Sequence, residues 1–155
     1  MGQRRKAREI AIQCLYSLEF SEVDKDYREY GLLNEYPATL LSLATGEGLE
    51  PDSPVYAFAD ELIKNTIINI DQIESEIDKI ADNRDLQDIA WLDRSILCVA
   101  TYELLFTDTP APVIINEAIE IAKKYSSEVA GKFINGILDG INKAINQNRS
   151  QNLPI

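Results

Sequence analysis

The sequence SPVYAFADELIKNTIINI, at residues 53–70, indicates how the whole chain folds. Serine followed by proline is typical of a helix start, because serine caps free N–H groups and proline is accommodated at the first helical position. Behind this pair, residues suited to a core recur every three or four positions, which places them on one helix face. They are Val55, Phe58, Ala59, Leu62, Ile63, Thr66, Ile67 and Ile70. The segment therefore predicts a capped amphipathic helix with one buried face.

The same period recurs along most of the chain. Apolar residues at three- and four-residue spacing predict further helices in several places. They lie at Lys6–Phe20, Ile73–Asn83, Asp88–Thr109, Val113–Tyr125 and after Ser126-Ser127, which offers a second serine cap. Alternating patterns typical of strands are nearly absent. An all-α fold is therefore predicted.

On the first of these helices the core-facing residues are expected to form a single stripe. Its members are Ala7, Ile10, Ala11, Cys14, Leu15 and Leu18. Arg5, Arg8, Ile12 and Tyr16 are expected to project from a different sector, because they are offset from the stripe around the helix. Cations and an aromatic ring are thus predicted to lie outside the core.

The chain has 155 residues, enough for one domain that buries its own core. We expect a single helical domain over residues 1–146, with 21–53 as an irregular connection carrying short helices and 147–155 as a frayed tail. Charged residues interrupt every apolar stretch, so no membrane-spanning segment is predicted. No apolar stretch typical of a secretory signal follows the basic N-terminus, and the expected location is the cytoplasm.

The sequence shows no recognisable catalytic constellation. The chain contains no histidine, which removes the commonest general base and metal ligand. Gly46-Glu47-Gly48 has no lysine beside it and does not match a phosphate-binding loop. The two cysteines, Cys14 and Cys98, lie in apolar helical patterns and are expected to be reduced core residues. The sequence predicts no enzymatic activity, no metal site and no cofactor.

Charge is distributed very unevenly along the chain. The net charge is −11, yet residues 1–8 contain four basic side chains and no acidic one. The remaining residues carry 11 basic against all 26 acidic side chains. A polyanion is therefore attracted only to the N-terminal tip and repelled elsewhere. Tight nucleic-acid binding is expected to need a partner that brings positive charge.

Four blocks of the sequence resemble one known family. Residues 4–16, RRKAREIAIQCLY, are similar to an arginine-rich first helix with the pattern R-R-x-A-R-E-x-A-x-Q-x-L-Y. Residues 93–97, DRSIL, with 100–104, ATYEL, resemble D-R-x-I-L followed by A-x-Y-E-L. INEAIEIAK at 115–123 and KFINGILD at 132–139 resemble I-N-E-A-[IV]-E-L-A-K and K-F-V-N-G-[VI]-L-D. In this order, and outside roughly 21–53, the blocks resemble the NusB family of transcription antitermination factors.

The resemblance implies a fold and a function. Members of this family form a pair of three-helix bundles. They bind the boxA element of nascent transcripts jointly with the small-subunit ribosomal protein that acts as Nus factor E. The pair joins the RNA polymerase antitermination complex and promotes ribosomal RNA transcription. Some members form homodimers that cover the RNA face.

The resemblance also assigns roles to residues. The basic cluster would contact phosphates, Gln13 would hydrogen-bond RNA, and Tyr16 and Phe133 would stack on unpaired bases. The predicted RNA-binding residues are Arg4, Arg5, Lys6, Arg8, Gln13, Tyr16, Lys132 and Phe133. Asp93 and Arg94 are predicted to lie near the contact with the ribosomal protein.

Alternative interpretations remain open. The basic cluster is also compatible with a solvated tail, and Tyr16 and Phe133 with core positions. Residues 126–131 depart from the family pattern, so the resemblance assigns no RNA contact to that turn. A helical protein–protein adaptor is one competing function. A detached RNA-binding module of a ribosomal RNA methyltransferase is another, without the catalytic half in this chain.

Overall fold

The structure is a computed structural model that describes residues 2–18, 28–81 and 89–152. All regular structure in these ranges is helical. The helices are α1 (Gly2–Leu18), α2 (Arg28–Gly46), α3 (Pro54–Ile68), α4 (Ile70–Ile80), α5 (Trp91–Phe106), α6 (Ala111–Tyr125) and α7 (Glu128–Asn152). The prediction of an all-α fold is confirmed.

Residues Met1–Ile70 form one compact unit, in which α1, α2 and α3 all contact one another. Its core consists of aliphatic side chains from the three helices, among them Ile10, Leu40 and Ile63. Each helix contributes apolar residues three or four positions apart, so the three buried faces meet in one core. This unit is a three-helix bundle.

The start of α3 is the cap that the sequence predicts. The backbone N–H of Tyr56 donates a hydrogen bond to Ser53 Oγ at 3.2 Å, and Pro54 occupies the first turn. The predicted stripe of α3 is buried at Val55, Ala59, Leu62, Ile63, Thr66 and Ile67. Phe58 differs from these residues, because its ring remains partly exposed.

Residues Asp71–Ile155 form the second unit, in which α5, α6 and α7 contact one another. Ile96, Ile121 and Ile134 are fully buried in this second three-helix bundle. The expected pair of three-helix bundles is confirmed. An ion pair between Glu74 and Arg94 attaches α4 to α5.

Two segments are more helical than expected. The expectation of only short helices within 21–53 is wrong for α2, which runs unbroken for 19 residues with Pro37 inside it. Proline removes one backbone hydrogen bond. Tyr36, Leu40 and Ala44 nevertheless lie on one buried face of α2, and packing of this face outweighs the local cost. Likewise, α7 continues to Asn152, past the residue where we expected the helix to end. Residues 21–27 and 153–155 lie outside the described ranges, and the single domain over 1–146 stays a prediction.

The buried sector of α1 is wider than one stripe. Arg8 and Ile12, which we expected outside the core, are only 4% and 3% exposed. The physical reason is that α1 contacts both α2 and α3, so more than one of its faces is covered. Cys14 and Cys98 are buried free thiols, as predicted. No helix in the described part of the chain is long and apolar enough to cross a membrane.

Candidate nucleic-acid interface

The N-terminal turns of α1 place two arginines against one aromatic ring of α3. The Cζ atom of Arg4 lies 4.3 Å from the centroid of the Phe58 ring, and that of Arg8 lies 5.4 Å from it. Both distances are within the range of a cation–π interaction. The basic cluster therefore starts on the folded bundle, and the solvated-tail interpretation does not describe Arg4.

The two arginines differ in accessibility. Arg4 is exposed, whereas Arg8 is buried at 4% of its accessible surface. They are four residues apart and share a face of α1, since four residues make about one helical turn. Arg4 therefore presents its charge to solvent, while Arg8 supplies positive charge from within the bundle.

Lys6 forms an ion pair with a carboxylate that follows α2. Its Nζ atom lies 2.7 Å from Oε2 of Glu47, and both side chains are about one-third exposed. Glu47 directly follows α2, so the pair links the start of α1 to the end of α2. An ion pair at this exposure contributes little to stability. The carboxylate does, however, compete with any phosphate for the Lys6 ammonium.

Arg5, Gln13 and Tyr16 complete the predicted set on α1. Arg5 and Gln13 are partly exposed, and Tyr16 is 37% exposed, so its ring is accessible. Arg5 and Tyr16 lie on nearly the same side of the helix, about three turns or roughly 16 Å apart. This side of α1 therefore presents a cation and an aromatic ring along one line.

Lys132 and Phe133 belong to the second unit, in the first turns of α7. Lys132 is exposed and Phe133 is partly buried. The cap predicted at Ser126-Ser127 is formed by Ser127, whose Oγ accepts a hydrogen bond from the Ala130 N–H at 3.0 Å. Val129 is 76% exposed although Ala130 beside it is buried, so the first turn of α7 packs through a face that does not include Val129.

Asp93 and Arg94, predicted near a protein partner, make contacts within the second unit. Arg94 pairs with Glu74 at 2.5 Å, with both side chains about 15% exposed. Burial raises the pKa of Asp93 above its ordinary value, although a hydrogen bond with Ser126 acts in the opposite direction. Asp93 Oδ1 is buried and has no hydrogen-bond partner among the described residues. The pair thus connects α5 to α4 and to the turn before α7.

The sequence interpretation missed Phe58 as part of this surface. Its spacing assigned it to the buried stripe of α3, and no pattern within the sequence indicates that it faces α1. A group of acidic, cysteine or histidine residues suited to a metal ion is absent from the described ranges.

Comparison with known proteins identifies the family. A model of the NusB family matches residues 5–143. The transcription antitermination protein NusB of Thermodesulfovibrio yellowstonii is 41% identical over 142 residues, covering 91% of this chain and 92% of that protein. The NusB protein of Desulfitobacterium hafniense is 40% identical over 147 residues, covering 93% and 90%.

Solved structures agree with this assignment. The structure of T. maritima NusB superposes with a TM-score of 0.76 at 34% identity and covers 90% of both chains. A chain in the complex of antitermination factors NusB and NusE with dsRNA has a TM-score of 0.77 at 24% identity, covering 93% of this chain and 98% of that chain. At that identity the second likeness shows the fold alone. This chain belongs to the NusB family.

Proposed function

We propose that this protein is a transcription antitermination factor that binds single-stranded boxA-type RNA through the exposed side of α1. The observation that carries the proposal is the exposed Arg4, held on the bundle surface at the start of an arginine-rich helix in a member of the NusB family. A fixed guanidinium at a helix surface suits phosphate, because its planar N–H groups match two phosphate oxygens.

Each residue of α1 takes a part that follows from its surroundings. Arg4 and Arg5 contact phosphates and set the position of the strand, and Lys6 joins them once Glu47 releases it. Tyr16 stacks on an unpaired base, and Gln13 donates or accepts a hydrogen bond nearby. Arg8 acts from beneath the surface through its charge, since its side chain is buried.

Lys132 and Phe133 contribute a second RNA contact at the start of α7. Lys132 is exposed and suited to a phosphate, and the partly exposed ring of Phe133 is suited to stacking on a base. The core interpretation of Phe133 remains the alternative for this residue.

The charge of this protein indicates what kind of partner it needs. The net charge of −11 opposes RNA everywhere except at the basic cluster, so affinity is expected to rise when a basic protein binds first. We assign this part to the small-subunit ribosomal protein that acts as Nus factor E, bound near Asp93 and Arg94. Together they join the RNA polymerase antitermination complex in the cytoplasm and promote ribosomal RNA transcription. We assign no catalytic role, because a chain without histidine lacks the commonest general base.

Fluorescence anisotropy of a labelled boxA-type RNA tests the proposal. We expect weak binding by this protein alone and strong, sequence-dependent binding once the ribosomal protein is added. A scrambled RNA of equal length is the control for sequence specificity. The double variant Arg4→Gln with Arg5→Gln tests whether this surface of α1 binds the RNA, and it should bind more weakly. Equal affinity for both RNAs with the partner present would contradict the proposal.

The acidic surface favours one competing function. A helical adaptor that binds basic proteins, or a homodimer, would need no RNA specificity. In that case the ribosomal protein would bind with unchanged affinity whether RNA is present or not. Under the proposed function, RNA and the ribosomal protein raise each other's affinity by the same factor.

A further inference from the structure

We propose that Phe58 is a positioning residue that holds the Arg4 guanidinium ready for phosphate and so sets RNA affinity without touching RNA. The inference rests on the proposed function and concerns the same surface. It adds a residue of α3 that carries no charge and lies far from the basic cluster in sequence.

The position of Phe58 on α3 is unusual for its pattern. Val55, Ala59 and Leu62 share its stripe and are buried in the bundle core. Phe58 remains partly exposed instead, and its ring lies beneath the Arg4 guanidinium at 4.3 Å. A ring that packed only for hydrophobic burial would not need a cation above it. The ring therefore serves as a platform for the arginine.

The kind of contact matters for binding. A cation–π contact uses the face of the ring and none of the five N–H donors of a guanidinium. Arg4 thus keeps its donors for phosphate oxygens while its long side chain is held in place. Preorganised groups bind more tightly because less conformational freedom is lost on association.

The contrast with Lys6 supports this assignment. Lys6 pairs with the Glu47 carboxylate, whose charge must be displaced before Lys6 binds a phosphate. Phe58 is neutral, so holding Arg4 does not cancel its charge. Within the described ranges the structure shows no carboxylate partner for Arg4. Arg4 is therefore an exposed cation of this cluster that is held in place while it keeps its charge.

Arg8 adds a second positive charge near the Phe58 ring, from a buried position. Its Cζ atom lies 5.4 Å from the centroid of the same ring, and its side chain is buried. Two guanidinium groups at one ring would repel each other in its absence. The negative faces of the ring offset this repulsion and allow two positive charges to collect at one place.

A double-mutant cycle on the full chain tests the inference, using anisotropy of boxA-type RNA with the ribosomal partner present. We expect Phe58→Leu to weaken RNA binding by about two- to tenfold, the range of a partly exposed cation–π contact. Phe58→Trp should retain the affinity, since tryptophan is the best ring for a cation. In an Arg4→Gln background, Phe58→Leu should have almost no further effect.

The controls separate positioning from folding. Phe106→Leu makes the same change at a ring that stacks on Tyr102 in α5, and we expect it to leave RNA affinity unchanged. If Phe58→Leu fails to fold, a series of fluorinated phenylalanines at position 58 replaces it. Fluorine withdraws electron density from the ring face with little change in size, so affinity should fall with each added fluorine.

The outcomes distinguish this inference from the function on which it rests. Wild-type binding that is lost in Arg4→Gln but unchanged in Phe58→Leu, or that is insensitive to fluorination, would overturn the role of Phe58 alone. The role of Phe58 would also be overturned if Phe58→Leu lowered RNA affinity by the same factor in the wild type and in the Arg4→Gln background. Such additive losses would indicate that Phe58 acts through the structure and not through Arg4. Absence of sequence-dependent binding by the wild type would overturn the proposed function itself.

Discussion

At the scale of single residues, two arginines on the same helix have different surroundings. Arg4 is exposed above the Phe58 ring, and Arg8 is buried near the same ring one turn later. Removing a buried guanidinium leaves the polar groups around it without hydrogen-bond partners. When an exposed guanidinium is removed, water takes its place. Stability and RNA binding should therefore depend on different arginines.

Substitution of these two arginines should separate the two properties. We expect Arg8→Gln to lower the free energy of unfolding by about 1–3 kcal/mol, which corresponds to a fall in Tm of about 2–12 °C for a chain of this size. Arg4→Gln should change it by less than about 0.5 kcal/mol. Thermal unfolding followed by circular dichroism measures both, and equal Tm values for the two variants would contradict the burial of Arg8.

Three polar groups lie together inside the first unit. The Tyr36 hydroxyl donates a hydrogen bond to Asp60 Oδ1 at 2.8 Å, and the Cys14 thiol lies 3.9 Å from the Tyr36 carbonyl oxygen, to which it donates. Burial raises the pKa of Cys14 from 9.0 to about 12, and the Asp60 carboxylate adds to the shift. Burial and the Asp60 hydrogen bond raise the pKa of Tyr36 in the same direction.

This cluster predicts a loss of stability at alkaline pH. The unfolded chain releases the Cys14 proton above about pH 9, while the folded protein keeps it up to about 12. The contribution of Cys14 is thus complete below pH 9 and is lost as the pH rises towards 12, at about 1 kcal/mol per pH unit. Urea unfolding at pH 8 and pH 10.5 measures it. Cys14→Ala should flatten this dependence, and an unchanged slope would count against the shifted thiol.

At the scale of elements, two glycines of α7 illustrate how packing differs within one helix. A Cβ atom at Gly140 would lie 2.6 Å from Ile80 Cγ2 of α4, whereas one at Gly136 would meet nothing within 4 Å. Of the two, Gly140 is the glycine that permits close packing, because α4 approaches α7 at that position.

The two glycines provide a matched pair of substitutions. Gly136→Ala should stabilise the protein by about 0.5–1 kcal/mol, since alanine favours a helix more than glycine. Gly140→Ala should destabilise it by about 1–3 kcal/mol, because the branched Ile80 methyl group is attached close to its backbone and yields poorly. Chemical denaturation of both variants tests this, and a stabilising Gly140→Ala would show that α4 is not packed as closely as described.

At the scale of the whole molecule, charge limits how strongly RNA is bound. The net charge is −11, and the proposed interface contributes at most five cations, four on α1 and Lys132 on α7. Because each neutralised phosphate of a single strand contributes about 0.7 to the salt dependence, five cations allow a slope of magnitude about 3.5. The acidic remainder adds repulsion that a basic partner would relieve.

A salt titration measures this limit directly. For this protein alone, the logarithm of the RNA association constant should fall with the logarithm of salt concentration at a slope no steeper than about −3.5. Arg4→Gln with Arg5→Gln should make the slope shallower by one or more. A much steeper slope would mean that cations other than those of α1 and Lys132 carry the binding and that the interface is misplaced.

Those features of the fold that depend on residues close together in the sequence could be predicted from it. Ser53 and the pair Ser126-Ser127 were predicted to supply caps, and Ser53 and Ser127 form them, because a cap is formed by residues three positions apart. The period of α3 predicted its buried face for the same reason. Pro37 and the length of α2 were misjudged, because local preference opposes a helix there and only contacts with other helices decide the outcome.

The candidate site also has features that the sequence predicts and features that only the folded structure shows. The sequence by itself determined the helices, the basic cluster at residues 4–8 and the family, since these depend on residue type and spacing. Tertiary structure alone decided that Arg8 is buried, that Lys6 pairs with Glu47 and that Arg4 lies on Phe58. The physical reason is that helical period specifies which residues share a face, but the number of neighbouring helices determines how much of that face is covered. Contacts between distant residues therefore appear only once the helices pack.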